Sequence, residues 1–425
     1  MNGEELLDFA KSIFPFNRSI TGDGLRRTLE AIRGVLPELE IRAVPSGTQC
    51  FDWIVPDEWS VNEAYVIDPH GNRVIDFAAN NLHLVNYSDG FVGDVSLDEL
   101  QAHLHSLPDQ PTAIPYVTSY YSNAWGFCIS ENERRKLVEG NYRVVIDSRK
   151  FPGELNFGEI LIPGELNEEI FLTTYVCHPS MANNEVSGPT VLAHLGKWLS
   201  NRNNRFSYRI VFAPETIGAI AYLSKNITHL QKHVKAAFNL TCIGDERTYS
   251  YISTRSENTL SDRVVRHVAN QLPGDCRRFS FQDRGSDERQ YGSPLVNLPM
   301  VTLCRTRFYD YPEYHTSLDD FSVVTAEGLK GGFNFASQCV QTLEINKTYV
   351  AQFPCEPQLG RHGLYPLTGG RPTGGDTNLM LDVLAYSDGD ADLLEIAEIL
   401  SCPLDHVAKA ANTLANANLL RHLDN

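Results

Sequence analysis

Four short polar segments carry the residues of this chain that could do chemistry, and each follows an apolar run. The first is Cys177-His178-Pro179-Ser180, continuing through Asn184 and Glu185; the second is Pro214-Glu215-Thr216-Ile217-Gly218. The third runs from Arg284 to Tyr291 through Asp287 and Arg289, and the fourth from Tyr311 to Asp320 through Tyr314 and His315. Taken singly, each has a plainer role. His178 reads as a hydrogen-bonded structural histidine, and Glu215 as an acid favoured by the dipole at a helix start. The third segment reads as a solvated loop with internal ion pairs, and His315 as a ring packed on a sheet edge. In order along one sheet edge, however, histidine, carboxylate, carboxylate and histidine make the ligand set of a hydrolytic zinc site.

Such an edge requires strands that end in these segments. Apolar runs predict strands at 170–177, 208–213, 234–241, 278–281 and 300–304, alternating with helices at 189–199, 259–272 and 326–343. The alternation implies an α/β sheet layered by helices, whose ligands lie beyond the carboxyl ends of its strands. Between them, residues 51–127 are aromatic-rich, with short runs broken by turn signals such as Pro69-His70-Gly71-Asn72. This reads as a mostly β insertion. The expected division is therefore an α/β core over 1–50 and 128–355, the insertion over 51–127, a Gly/Pro-rich linker over 356–378 and a terminal module over 379–425.

That module predicts helices at 380–384, 393–400 and 404–414, with a wing beginning near 417–422, the layout of a winged helix-turn-helix. Its charge opposes DNA reading, since residues 356–425 hold four basic against ten acidic side chains. The whole chain agrees, with 36 Lys+Arg against 53 Asp+Glu and a formal charge of −17 over 425 residues. Nucleic acid is excluded as the expected partner. No apolar run reaches the roughly 18 residues of a membrane span, and the first 16 residues lack the basic start and apolar stretch of a signal peptide. Nine scattered cysteines without a CxxC pair fit reduced thiols in a cytoplasm. A metal is then expected on His and carboxylates, and a homo-oligomer stays open.

The segments Arg18 to Gly24, Phe51-Asp52-Trp53, Tyr120-Tyr121, Trp125 to Cys128, Cys177 to Asn183, Pro214 to Gly218, Ser286 to Tyr291 and Glu313 to Ser317 span nearly the whole chain. In them the sequence resembles the zinc exopeptidase superfamily of bacterial leucyl-aminopeptidase-like enzymes, most of all a subgroup with a β insertion and a C-terminal winged helix. The resemblance implies a mixed-sheet α/β core of that kind. It places His178, Asp287 and His315 as metal ligands and Glu215 as the general base. The bridging aspartate of two-zinc relatives falls on Asn184 and their second-metal glutamate on Thr216, both poor zinc ligands, so one zinc ion per chain is implied. Arg289, Arg305, Arg307 and Tyr314 are candidates for binding substrate or oxyanion. The expected function is a metal-dependent aminopeptidase or amidohydrolase acting on a small peptide-like or aminoacyl-modified substrate. The alternative is a non-catalytic binding or assembly protein with a degenerate metal site.

Overall fold

The computed structural model describes residues 2–364 and 375–423. The chain divides into two units, Met1–Asp262 with Leu272–Ala336, and Arg263–Gln271 with Ser337–Asn425.

The first unit is built on eight strands: β1 (Glu40–Pro45), β2 (Glu154–Ile162), β3 (Glu169–Tyr175), β4 (Ser207–Ala213), β5 (Val234–Leu240), β6 (Tyr249–Ile252), β7 (Cys276–Phe279) and β8 (Met300–Cys304). They lie in the order β1-β2-β4-β3-β5-β8-β6-β7. The central four, β4, β3, β5 and β8, are mutually parallel, while β2 runs antiparallel to both its neighbours and β6 runs antiparallel to β8 and parallel to β7. Every residue of β3 and β8 is buried, as strands covered on both faces must be. Helices α1 (Gly3–Ile13), α2 (Asp23–Val35) and α3 (Ser187–Ser200) pack together, and α4 (Ile217–His233) packs near β2. A Cβ added at Gly188 would stand 2.3 Å from Thr174 Oγ1 and 2.7 Å from the Leu240 carbonyl, so glycine lets α3 lie directly on β3 and β5.

The expected strands appear with small shifts. The run expected over 278–281 is β7, ending at Phe279, because Ser280 and Asp283 close a reciprocal capping box over the single turn Phe281–Asp283. Strand β2 escaped the hydrophobic pattern because it buries Asn156 and Glu159. The Glu159 carboxylate accepts from Arg209 Nη1 at 2.5 Å and from the Tyr222 hydroxyl, so a residue that looks like surface is a paired core charge.

A second, antiparallel sheet orders Arg73–Asp76, Glu58–Ile67, Asn141–Phe151 and Phe91–Ser96. Its long strand Asn141–Phe151 lies outside the 51–127 range, since the alternating Tyr142, Val144 and Ile146 turn one face inward. Trp59, Val66 and Tyr142 share one buried cluster with Leu155, Val211 and Met300, so this sheet and the main one enclose a continuous core.

In the second unit, Thr348–Ala351 is the middle strand between Asp388–Asp392 and Leu420–His422. Helices Gly375–Tyr386, Leu393–Leu400 and Leu404–Asn416 complete it, the last two burying Leu394, Ile396, Val407 and Ala411. Because Thr348–Ala351 pairs with strands near the chain's end, this unit begins ahead of residue 356 rather than at 379. Residues 365–374 of the expected 356–378 linker lie outside the described residues. Among the described residues no helix is long and apolar enough to cross a membrane.

Candidate functional site

The parallel strands β3, β4, β5 and β8 end at one edge, and two of the four segments leave it directly. His178 stands three residues beyond β3, ahead of the turn Ala182–Val186 that enters α3, and Glu215 two residues beyond β4, just before α4. Thr216 takes a left-handed backbone, φ 63°, that turns the chain from strand to helix. Asp287 arrives differently from the expectation. Strands β6 and β7 run against β8, so Phe279 sits toward the amino end of β8, and the loop 280–287 carries the chain back. There Asp287 Oδ1 accepts the Thr216 N–H at 2.8 Å. His315 lies in the long connection after β8, also left-handed at φ 56°.

His178 is the hub. Its Nδ1 bonds Glu185 Oε2 at 2.9 Å, and its Nε2 faces Glu215 Oε2 at 3.7 Å. Burial alone would lower the pKa of the ring, but the bond to Glu185 and the charges of Glu185 and Glu215 turn the net direction upward. Glu215 is pushed up by burial against the pull of His178 and Arg289. The Asp287 carboxyl is held well above its ordinary value by burial and by the neighbouring Glu215 charge. His315 is driven down to about 3 by burial and by His178, and its Nε2 is buried without a hydrogen-bond partner. The two imidazole centroids are 5.5 Å apart, each edge-on to Tyr116.

His178, Glu215, Thr216, Arg289 and His315 line a cavity of about 480 Å³ together with Trp53, Tyr116, Tyr120 and Tyr121. Arg289 Nη2 donates to Thr216 Oγ1 at 2.7 Å, which fixes its guanidinium at the cavity wall. The hydroxyls of Tyr116 and Tyr120 meet at 2.9 Å, and burial raises both well above the ordinary phenol pKa, so they stay neutral donors.

The part-buried Glu215 and buried Asp287 carboxyls, an oriented imidazole and an imidazole nitrogen without a hydrogen-bond partner are donor types that suit a divalent cation. At the two positions that depart from the two-zinc pattern, Asn184 Nδ2 donates to the Tyr175 hydroxyl at 2.7 Å while its Oδ1 is buried without a hydrogen-bond partner, and Thr216 Oγ1 accepts from Arg289. The donors of His178, Asp287 and His315 are spread more widely than a closed shell. Among the described residues, the three such groups whose donor atoms all lie within 4.8 Å are Cys177, His178 and Glu185. Burial keeps the Cys177 thiol protonated and the Glu185 carboxylate already holds the imidazole, so that trio is a hydrogen-bonded support.

Of the other candidates, Arg305 is corrected: its guanidinium lies 3.8 Å over the Tyr249 ring and does not line the cavity. Arg307 pairs with Asp283 and Asp310. Tyr314 stacks on His315 at 3.9 Å and backs that ring instead of meeting a substrate. Sequence reasoning missed Tyr116, which reaches the site from the insertion, and the part played by Glu185.

Residues 7–346 match the family described as a domain of unknown function, DUF4910, and residues 347–422 match the winged helix-turn-helix family. Over 421 residues the chain is 41% identical to a Clostridium acetobutylicum protein, covering 99% of this chain and 96% of that one. That protein is described, provisionally, as a polysaccharide biosynthesis protein with an aminopeptidase-like domain. A crystal structure of a provisionally assigned peptidase from Clostridium acetobutylicum matches with a TM-score of 0.93 and 40% identity, over 99% of this chain and 96% of the other. The zinc aminopeptidase BSAP of Bacillus subtilis matches with a TM-score of 0.58 at 12% identity, over 80% of this chain and 95% of its own. At that identity the likeness is one of fold.

Proposed function

The chain belongs to the DUF4910 family, an aminopeptidase-like α/β core followed by a winged helix-turn-helix, and we propose that it is a one-metal amide hydrolase. Its substrate is a small peptide-like or aminoacyl-modified molecule. The observation that carries this reading is Glu215 at the wall of an open cavity, its Oε2 3.7 Å from His178 Nε2, with the buried Asp287 carboxylate accepting the neighbouring Thr216 N–H.

His178 through Nε2, Asp287 and His315 would hold the ion. When bound, a divalent ion supplies Lewis-acid polarisation and lowers the pKa of water toward about 7. The chain's own residues do the rest. Glu215, whose raised pKa brings it nearer working pH, takes a proton from the attacking water and returns it to the leaving amine. Arg289, pinned by Thr216, directs positive charge at the developing oxyanion, and the neutral Tyr116 and Tyr120 hydroxyls offer further donors. Glu185 holds the His178 ring so that Nε2 points to the reaction. The Clostridium relative's description, an aminopeptidase-like domain in polysaccharide biosynthesis, supports an aminoacyl-bearing small molecule as substrate.

Protein purified without a chelating column carries about one tightly held divalent ion per chain. Glu215→Gln keeps that ion and loses at least about 100-fold in turnover on peptides or aminoacyl amides, because an amide cannot accept the proton. Unchanged turnover removes Glu215 from the mechanism. A second reading, binding without turnover, draws on the uncharged Asn184 and Thr216, where a two-zinc pattern would need carboxylates, and on the wide spacing of the donors. Absence of both metal and turnover, with zinc added, would establish it.

A further inference from the structure

A second cavity, of about 290 Å³, adjoins the first and shares two of its walls, Trp53 and Gln290. Its floor comes from α4 (Ile220, Leu223, Ile227), and Val296 and Leu295 close one side. Asp52 is the one charged side chain on it, and no basic residue lines it. The rim is unusually apolar for a surface, with Leu295 88% exposed and Phe51 54%, and Tyr121 on the neighbouring cavity's wall is 53% exposed. Phe51 sits in the two-residue turn that joins Gln49–Cys50 to Trp53–Ile54, with φ 55°. That conformation normally selects Asn or Gly. Here a phenylalanine holds it, with its ring at the mouth of the groove. Tyr121, edge-on to Trp53 at 5.6 Å, is left-handed too, with φ 61°.

An apolar groove that shares Trp53 and Gln290 with the cavity beside Glu215 is placed for something that occupies both at once. We propose that it seats an uncharged apolar arm of the substrate, an alkyl or aromatic group carried on the amide that is cut beside Glu215. This rests on the hydrolase reading above. The absence of any cation on the walls, together with Asp52 at the rim, turns away an arm ending in a carboxylate or phosphate.

The test uses the full chain with added zinc and a series of aminoacyl alkylamides from ethyl to octyl. Turnover is measured on the wild type, and binding of the same amides to Glu215→Gln by calorimetry. Both kcat/KM and affinity rise about fourfold per added methylene until the groove is full, in proportion to apolar surface buried. Leu295→Asp flattens the series, and so does Phe51→Asn, which tolerates the left-handed turn. Rates and affinities independent of chain length overturn the proposal while leaving the hydrolase reading standing. Chain-length-dependent binding without turnover by the wild type does the reverse, upholding the groove and removing the hydrolase. If the wild type is a dimer that Leu295→Asp converts to monomer with the series unchanged, the face is a contact between copies and the proposal fails.

Discussion

Glu185 decides what His178 can be. One carboxylate oxygen takes the imidazole Nδ1 at 2.9 Å and the other lies 3.4 Å from Arg18 Nε, while Arg18 Nε donates to the His178 carbonyl at 2.8 Å. Arg18 is fully buried, and the Glu185 carboxylate offsets the burial that opposes its charge. Glu185→Ala therefore strands a buried guanidinium and costs about 3–5 kcal/mol of stability, whereas Glu185→Gln, which keeps an acceptor, costs less. Denaturant titration of the two variants checks this, and equal, small losses would show that Arg18 finds another partner. The sequence pointed to His178, Glu215, Asp287 and His315 because each follows an apolar run, a signal that lives in local pattern. It could not show Glu185 as the support of His178, since Arg18 comes from 160 residues away and no periodicity links them. Arg305 misled for the converse reason. It follows β8 directly, but its side chain turns to the Tyr249 ring, and side-chain direction after a strand's end is not set by the strand's alternation.

His315 is positioned by an element that the strand pattern assigned elsewhere. An arm of the insertion reaches the site, where Pro115 bridges to Thr316, the Tyr116 N–H donates to the His315 carbonyl at 2.8 Å and the Ser317 N–H to the Ile114 carbonyl at 2.9 Å. The Ser317 hydroxyl accepts the Ile114 N–H at 3.0 Å, closing the clamp. A histidine at φ 56° is uncommon and persists where surrounding bonds overdetermine it. Ser317→Ala leaves the half-buried Ile114 N–H without its acceptor, which costs about 1–3 kcal/mol. Amide exchange at Tyr116 and Ser317 should accelerate, with β3 and β4 unaffected; uniform acceleration would instead mean that the clamp only contributes to global stability. The main sheet was legible because β3, β4, β5 and β8 are buried apolar runs. The clamp was not, since residues 113–118 carry no periodic signal and join a loop two hundred residues away.

At the scale of the whole chain, the charge distribution sets which partners can approach. The second unit has the helices and three short strands of a winged helix-turn-helix, and residues 347–422 match that family. A module of this shape reads DNA by laying a helix in the major groove, with cations replacing the phosphate counterions. The helix in the reading position, Leu404–Asn416, offers Lys409 and His406 and opens with Asp405. The strand ahead of the preceding helix reads Asp388-Gly389-Asp390-Ala391-Asp392, and two of its carboxylates are spent inside the unit. Asp388 accepts the Asp390 N–H, and Asp392 caps the helix at the Glu395 N–H and pairs with Arg263 at 2.6 Å. Those bonds account for two of the module's acidic residues, and the chain as a whole carries −17. The full-length protein should therefore give no duplex DNA shift at physiological salt and none at about 50 mM, where phosphate contacts are strongest. A shift that weakens steeply as salt rises would mean that local cations outweigh the net field, and the second unit would then be a DNA reader joined to the aminopeptidase-like core.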